Sequence, residues 1–164
     1  MRDRNISIRR AQPEESDVLT EIAHAAKRHW GYPENSIEHW KDDLTITAAF
    51  IVNNEVYIAM IGDEIAGCCA LVIKDSRAEL EHMWVKPKHI GTGVGKALFM
   101  QVAERAANLD LPALEISADP NAEDFYQRMG AAHIGEVRSE IDGKPRVLPR
   151  MSVGLKHRKQ PPGR

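Results

Sequence analysis

Met83-Trp84-Val85-Lys86-Pro87-Lys88-His89-Ile90-Gly91-Thr92-Gly93-Val94-Gly95-Lys96-Ala97-Leu98 is the stretch on which the reading of this chain turns. It opens on an apolar run that stops at Pro87, as a strand does. Three glycines follow at alternate positions. From Val94 the apolar residues Val94, Leu98, Val102 and Ala106 form one stripe, which predicts a helix from about Gly93 to Asn108. Glycines let backbone approach a ligand and turn N–H groups toward it, and a helix N-terminus adds partial positive charge. A strand, a glycine loop and a helix in that order therefore suit a phosphate group. A tight strand-to-helix turn without a ligand is the plain alternative.

Nucleotide-binding motifs fit this loop poorly. The P-loop needs a glycine at position 90 and Ser or Thr after Lys96, where the chain has Ile90 and Ala97. The dinucleotide fingerprint takes its first pair from Gly91 and Gly93, but its third glycine falls at Lys96.

Outward from the loop, strands and helices alternate. On the N-terminal side, Ile6 and Ile8 suggest a first strand. Pro13, Glu14 and Glu15 open a helix with Val18, Ile22 and Ala26 in one row and Leu19 and Ala23 alongside, ending before Gly31. His29 to Pro33 reads as a turn, and Asn35-Ser36 caps a second short helix through about Asp42. Val56–Ile61 and Ile65–Ile73 flank a Gly62-Asp63-Glu64 turn, the pattern of a hairpin, and Ala78–Lys86 is a fourth strand. On the C-terminal side come a short strand at Leu114–Ser117 and a helix at Asn121–Met129 closed by Gly130. Two strands, Ala132–Glu140 and Arg146–Leu155, turn at Asp142-Gly143.

Composition limits the function classes. The 164 residues, 43% of them hydrophobic, suit one packed core, so residues 1–155 are expected to form a single domain and 156–164 a flexible polar tail. With 22 Lys and Arg against 24 Asp and Glu, the surface does not read as a nucleic-acid binder. The longest apolar run, Ile65 to Ile73, is about half a bilayer span, so no membrane role is expected. Charges at the N-terminus argue against an export signal and for a cytoplasmic protein. Cys68 and Cys69, adjacent on a strand, point to opposite faces and are expected to be reduced core residues. The seven histidines show no ligand spacing such as His-Glu-x-x-His, so no metal is expected.

Residues Ile90-Gly91-Thr92-Gly93-Val94-Gly95 resemble the Arg/Gln-x-x-Gly-x-Gly/Ala signature of the GCN5-related N-acetyltransferase (GNAT) superfamily. Asn121 to Ala131, with Phe125-Tyr126 and Gly130, resembles that family's second motif. The order of elements over about residues 4 to 155 is also similar. The resemblance implies an α/β (α+β) fold: a mixed, mostly antiparallel sheet of six to seven strands, flanked by about four helices and splayed between the fourth and fifth strands. It implies acetyl-CoA as cosubstrate and transfer of its acetyl group to a primary amine of a small molecule or peptide by direct attack in a ternary complex. One departure is Ile90, which stands where the family has Arg or Gln. A hydrogen bond to a charged group is worth roughly 1.5 to 3 kcal/mol, which Lys88, His89 or Lys96 would have to supply instead.

By position, the resemblance assigns Met83, Trp84 and Val85 to pairing with the pantetheine arm, and Ile90, Gly91, Thr92, Gly93, Val94, Gly95 and Lys96 to the pyrophosphate. Phe125 and Tyr126 fall beside the coenzyme, with Tyr126 facing the sulfur. Asn121 either contacts the pantetheine or caps its helix. An amine of pKa near 10.4 needs about 4 to 5 kcal/mol to reach its neutral form at pH 7, so a base should help. Glu81 on the fourth strand is the first candidate and Glu79 the second, each with a solvated strand carboxylate as its alternative. Trp30 and Tyr32, after the first helix, are candidate acceptor-lining residues, with core packing equally open. The last strands are the expected surface of a homodimer. A non-catalytic acyl-CoA-binding regulatory module of the same fold is the competing function.

Overall fold

The computed structural model describes residues 5–141 and 144–155; the expected Asp142-Gly143 turn and polar tail lie outside the described residues. Alternating apolar residues produce β1 (Ile6–Arg10), β2 (Glu55–Ile61), β3 (Glu64–Lys74) and β4 (Arg77–Val85), an antiparallel run in which each strand pairs with the next. Helix α5 (Val94–Asn108) then carries the chain to β5 (Ala113–Ser117), which lies parallel to β4. β6 (Ala132–Ile141) and β7 (Lys144–Gly154) complete a seven-stranded sheet of order β1-β2-β3-β4-β5-β7-β6. Its single parallel pair is β4–β5. The fold is the expected mixed, mostly antiparallel one.

Two apolar layers hold the sheet. On one face α5 buries Val94, Leu98, Phe99, Val102 and Ala106 against Cys69, Leu71, Leu80 and Leu114, joined by Tyr126 from α6 (Glu123–Arg128). The expected stripe of α5 is the one buried. On the other face α1 (Ser16–His29) sets Leu19 and Ile22 against Val56, Ile58 and Cys68. The two cysteines face opposite layers, as period two requires, and both are free and buried.

Two expectations shift. The inward face of α1 is Leu19, Ile22, Ala23, Ala26 and Lys27, whereas Val18 is 45% exposed. A strict four-residue row drifts around a helix of 3.6 residues per turn, and Leu19 with Ala23 is the row nearer the sheet. Instead of one short helix to Asp42 there are three: α2 (Glu34–His39), α3 (Lys41–Leu44) and α4 (Ala48–Asn53). Thr47 caps α4, its Oγ1 accepting the Phe50 N–H at 3.0 Å. Among the described residues six α-helices thus stand where about four are expected. None among the described residues is long and apolar enough to cross a membrane.

Candidate active site

The sheet opens where β4 meets β5. Their pairing consists of Ala78 with Leu114 and Glu79 with Glu115, although β4 runs on to Val85. From Leu80 onward the β5-facing edge of β4 has no strand partner among the described residues. Within that free stretch His82 is a β-bulge: Met83 pairs with Cys69 and Glu81 with Ala70, and His82 has φ +59°. The left-handed conformation costs about 1–2 kcal/mol in a residue with a side chain. The bulge also resets the alternation of faces. Glu79 and Glu81 share the α1 side of the sheet, while Met83 and Val85 pack on the α5 side and Trp84 on the α1 side.

At the α5 side of this opening lies the glycine loop. Gly91 and Gly93 have φ of +82° and +94°, values that favour glycine, and Gly93 is the N-cap of α5. The first helical bond at this end is from Ala97 N–H to Gly93 O at 3.0 Å. The amides of Gly93, Val94, Gly95 and Lys96 therefore precede the helical ladder and are free to serve an anion. Thr92 closes the loop, its hydroxyl donating to the His89 carbonyl. Gly95 needs its missing side chain, since a Cβ there would stand 3.2 Å from the Phe125 ring and 3.7 Å from Val85.

The loop's cations divide into spent and open. Lys88 and Lys86 reach Glu64 at 2.8 and 3.3 Å, and the buried His89 ring lies 3.3 Å from the same carboxylate. The Lys88, His89 and Lys86 contacts hold Glu64 down at about 2. Ile90 is 42% exposed and offers no polar group. Lys96, on the first turn of α5, has no ion pair among the described residues. It lines a groove of about 480 Å³ together with Phe99, Met100, Arg128 and Met129. Replacing Lys96 with Ala should weaken coenzyme A about tenfold by calorimetry, the loss of one charge-assisted bond.

Tyr126 lies deep beside the opening, with its ring centroid 5.1 Å from that of Phe125 and 6.1 Å from that of Phe99. Burial, with Asp119 adding to it, pushes the phenol above its ordinary pKa. A phenol so placed keeps its proton and can act as a hydrogen-bond donor.

The α1 side carries the carboxylates. Glu79 is engaged, accepting from Arg150 Nη1 at 2.9 Å, while Arg150 Nη2 donates to Glu115 at 2.7 Å. Glu81 stands exposed with no ion pair among the described residues, and its carboxyl is raised above the usual range by desolvation against the sheet and by Glu79. Of the two, Glu81 is the better proton acceptor, because protonating Glu79 would forfeit a charge-assisted bond to Arg150. His82 is no base here. Its Nδ1 accepts the Trp84 indole N–H at 3.0 Å, and burial drives its pKa down to about 4.

Beyond Trp84 stands a cluster that local sequence does not announce. Lys27, 7% exposed, donates to Asp119 Oδ2 at 2.6 Å and faces the rings of Tyr32, Trp40 and Trp84 at 4.9, 5.0 and 5.6 Å. Arg146 Nη2 donates to Asp119 at 3.1 Å and to the Tyr32 hydroxyl at 2.6 Å. Burial works against the Asp119 carboxylate, but Lys27, the Asn121 amide and Arg146 outweigh it and hold its pKa below the usual value. Burial lowers Lys27, an effect only partly offset by Asp119 and reinforced by Arg146. One carboxylate is thus shared by two cations.

The expected site residues divide accordingly. Met83, Val85, Val94, Gly95, Phe125 and Tyr126 converge on the α5 side, next to Ile90–Lys96. Trp84 contributes backbone to the free edge and its ring to the α1 side. Tyr32 belongs to the Lys27–Asp119 cluster, but Trp30 is 41% exposed and meets His29 edge to face. Asn121 is not the cap of its turn: Asp119 is, accepting the Asn121 N–H at 2.8 Å, while Asn121 Nδ2 donates to Asp119 and Tyr32. Lys27, Trp40, Asp119, Arg146 and the His82 bulge escaped the sequence reading. The one signal was a lysine at the buried spacing of α1, four residues after Ala23.

Residues 31–143 match the acetyltransferase (GNAT) domain family, and the chain belongs to that family. It is an acyltransferase enzyme by that membership. It is 27% identical over 124 residues to the peptidyl-lysine N-acetyltransferase YiaC of Escherichia coli, which covers 75% of this chain and 81% of that protein. A GCN5-related N-acetyltransferase from Rhodopseudomonas palustris shares the fold with a TM-score of 0.75 at 21% identity, covering 91% of this chain and 95% of its own. The PaiA N-acetyltransferase of Thermoplasma acidophilum, solved with coenzyme A, gives 0.72 at 19% identity, over 92% and 99%.

Proposed function

We propose that the protein transfers the acetyl group of acetyl-CoA to a primary amine by direct attack in a ternary complex. The observation that carries this reading is the β4–β5 opening, with free helix-start amides on one side and an unpaired carboxylate on the other. The PaiA complex with coenzyme A supports the choice of cosubstrate.

The chemistry acetyl-CoA supplies is an activated thioester; the rest is done by the chain. Gly93 to Lys96 hold the diphosphate through backbone N–H groups, aided by the Lys96 ammonium. The free edge of β4 pairs with the pantetheine amides, and its N–H groups are positioned to polarise the acyl oxygen. Glu81, directly or through water, accepts the proton that the amine must lose. As the carbon–nitrogen bond forms and the carbon–sulfur bond breaks, the Tyr126 hydroxyl donates to the departing sulfur. With its pKa pushed up, full proton transfer from tyrosine to a thiolate of pKa near 8.5 is unfavourable, so hydrogen bonding is its contribution.

Release of free thiol from acetyl-CoA with a panel of amines tests this reading. Transfer to at least one amine is expected; coenzyme binding with no turnover on any acceptor would favour the non-catalytic module. Tyr126→Phe should lower kcat roughly 10- to 100-fold with little change in coenzyme affinity, the loss of one bond to a developing charge.

A further inference from the structure

Resting on that reading, we infer that the acceptor amine belongs to a molecule that also carries a carboxylate, which docks on the open Nη1 of Arg146. The charge count leads to it. Lys27 and Arg146 share Asp119, leaving one positive charge in surplus in a largely buried place. Asp119 has no further capacity: it already accepts from Lys27, Arg146, the Tyr32 hydroxyl and the backbone and side-chain N–H groups of Asn121.

Arg146 uses only Nη2 for these bonds, and no described residue accepts from its Nε or Nη1. Its guanidinium carbon is held 4.8 Å from the Trp40 ring and 5.2 Å from that of Tyr32, which themselves meet edge to face at 5.0 Å. Nη1 thus keeps its N–H donors for a further partner, and a fixed guanidinium with open donors is a charge-assisted site for a carboxylate oxygen.

The location fits an acceptor. Trp84, under Lys27, lies on the free stretch of β4, and Asp119 follows β5, so the cluster bridges the mouth of the opening on the α1 side. At the other end of the same face Glu79, Glu81 and Glu115 gather with Arg150 and Lys74, one negative charge in surplus. Arg146 and Arg150, four residues apart on β7, separate the two ends by about 13 Å along the strand. A molecule with an ammonium toward Glu81 and a carboxylate toward Arg146 complements both. The carboxylate belongs either to a free amino acid-like acceptor or to an acidic residue beside a peptide lysine.

Matched acceptors decide it. N-α-acetyl-lysine is compared with its carboxamide, and a terminally blocked lysine peptide with Glu neighbours is compared with its Gln twin, reading kcat and KM from thiol release. In at least one pair the carboxylate member should lead by tenfold or more in kcat/KM, chiefly through KM. That lead should vanish in Arg146→Gln and persist in part in Arg146→Lys, with melting curves showing that each variant is folded. A lead in the first pair names a small acceptor, and a lead in the second an acidic peptide. Equal rates within both pairs, preference for the amides, or a lead that survives in Arg146→Gln would overturn the inference while leaving acetyl transfer intact. If Arg146→Gln fails to fold, the wild-type pairs and Arg146→Lys still decide. Absence of transfer to every amine would overturn this inference together with the proposed function.

Discussion

Asp119→Ala is expected to lower the stability of the fold by about 3–5 kcal/mol, the range for removing one partner of a buried ion pair. The substitution leaves Lys27 and Arg146, with side chains 9% and 12% exposed, facing each other without a counter-charge. In a chain of this size that corresponds to a fall in Tm of about 6–20 °C. The effect has a pH signature. Because the Asp119 carboxyl is held below its unfolded value of about 3.9, its contribution is fully present above that value and is lost as pH falls through the lowered folded pKa. The gap in Tm between wild type and Asp119→Ala should therefore be widest near neutrality and close below about pH 4. Adding Lys27→Met should recover part of the loss, since an apolar side chain in place of one cation removes an unpaired buried charge. A mutant as stable as wild type at pH 7 would mean that the cluster does not hold the β5 end to α1.

Glu81→Gln should lower kcat/KM by about 10²- to 10⁴-fold, the usual contribution of a general base. Glutamine keeps the shape and removes the proton-accepting form. In the wild type, kcat/KM should rise with pH as Glu81 ionises, with a midpoint above the ordinary carboxylate value because desolvation and Glu79 raise it. That limb should be missing from the Glu81→Gln profile, while coenzyme A affinity is unchanged. Glu79→Gln should be milder in rate and costlier in stability, since Glu79 is already bound to Arg150 at 2.9 Å. If the two mutants were equal in rate, water rather than Glu81 would be the proton acceptor.

The proposed cofactor half of the site was legible in the chain because it is nearly continuous. Residues 83–96 and 121–126 hold it, and a strand end, two left-handed glycines and an apolar helix stripe each leave a mark within a few positions. The proposed acceptor half is assembled from α1, the residues flanking α2, β4, β7 and the segment after β5. Lys27, Trp40, Trp84, Asp119 and Arg146 meet only because the sheet order places β7 beside β5. Nothing in their neighbourhoods marks the meeting. The same holds for two local features. Helices of four to six residues, such as α3 and α4, are too short to show a period. The bulge at His82 reverses the faces of β4, and its only trace in the sequence is the polar pair Glu81-His82 between Leu80 and Met83; read at period two, Met83 and Glu81 share one face although they lie on opposite ones.

The central claim is that the backbone amides at the start of α5 grip the diphosphate of the coenzyme. Titrating coenzyme A into uniformly nitrogen-15-labelled protein and following the amide resonances tests it directly. Saturable shifts concentrated at Gly91 to Lys96, with the largest at Gly93, Val94 and Gly95, are the expected result. Resonances there that stay fixed at millimolar coenzyme A, or shifts confined to another part of the sheet, would contradict it.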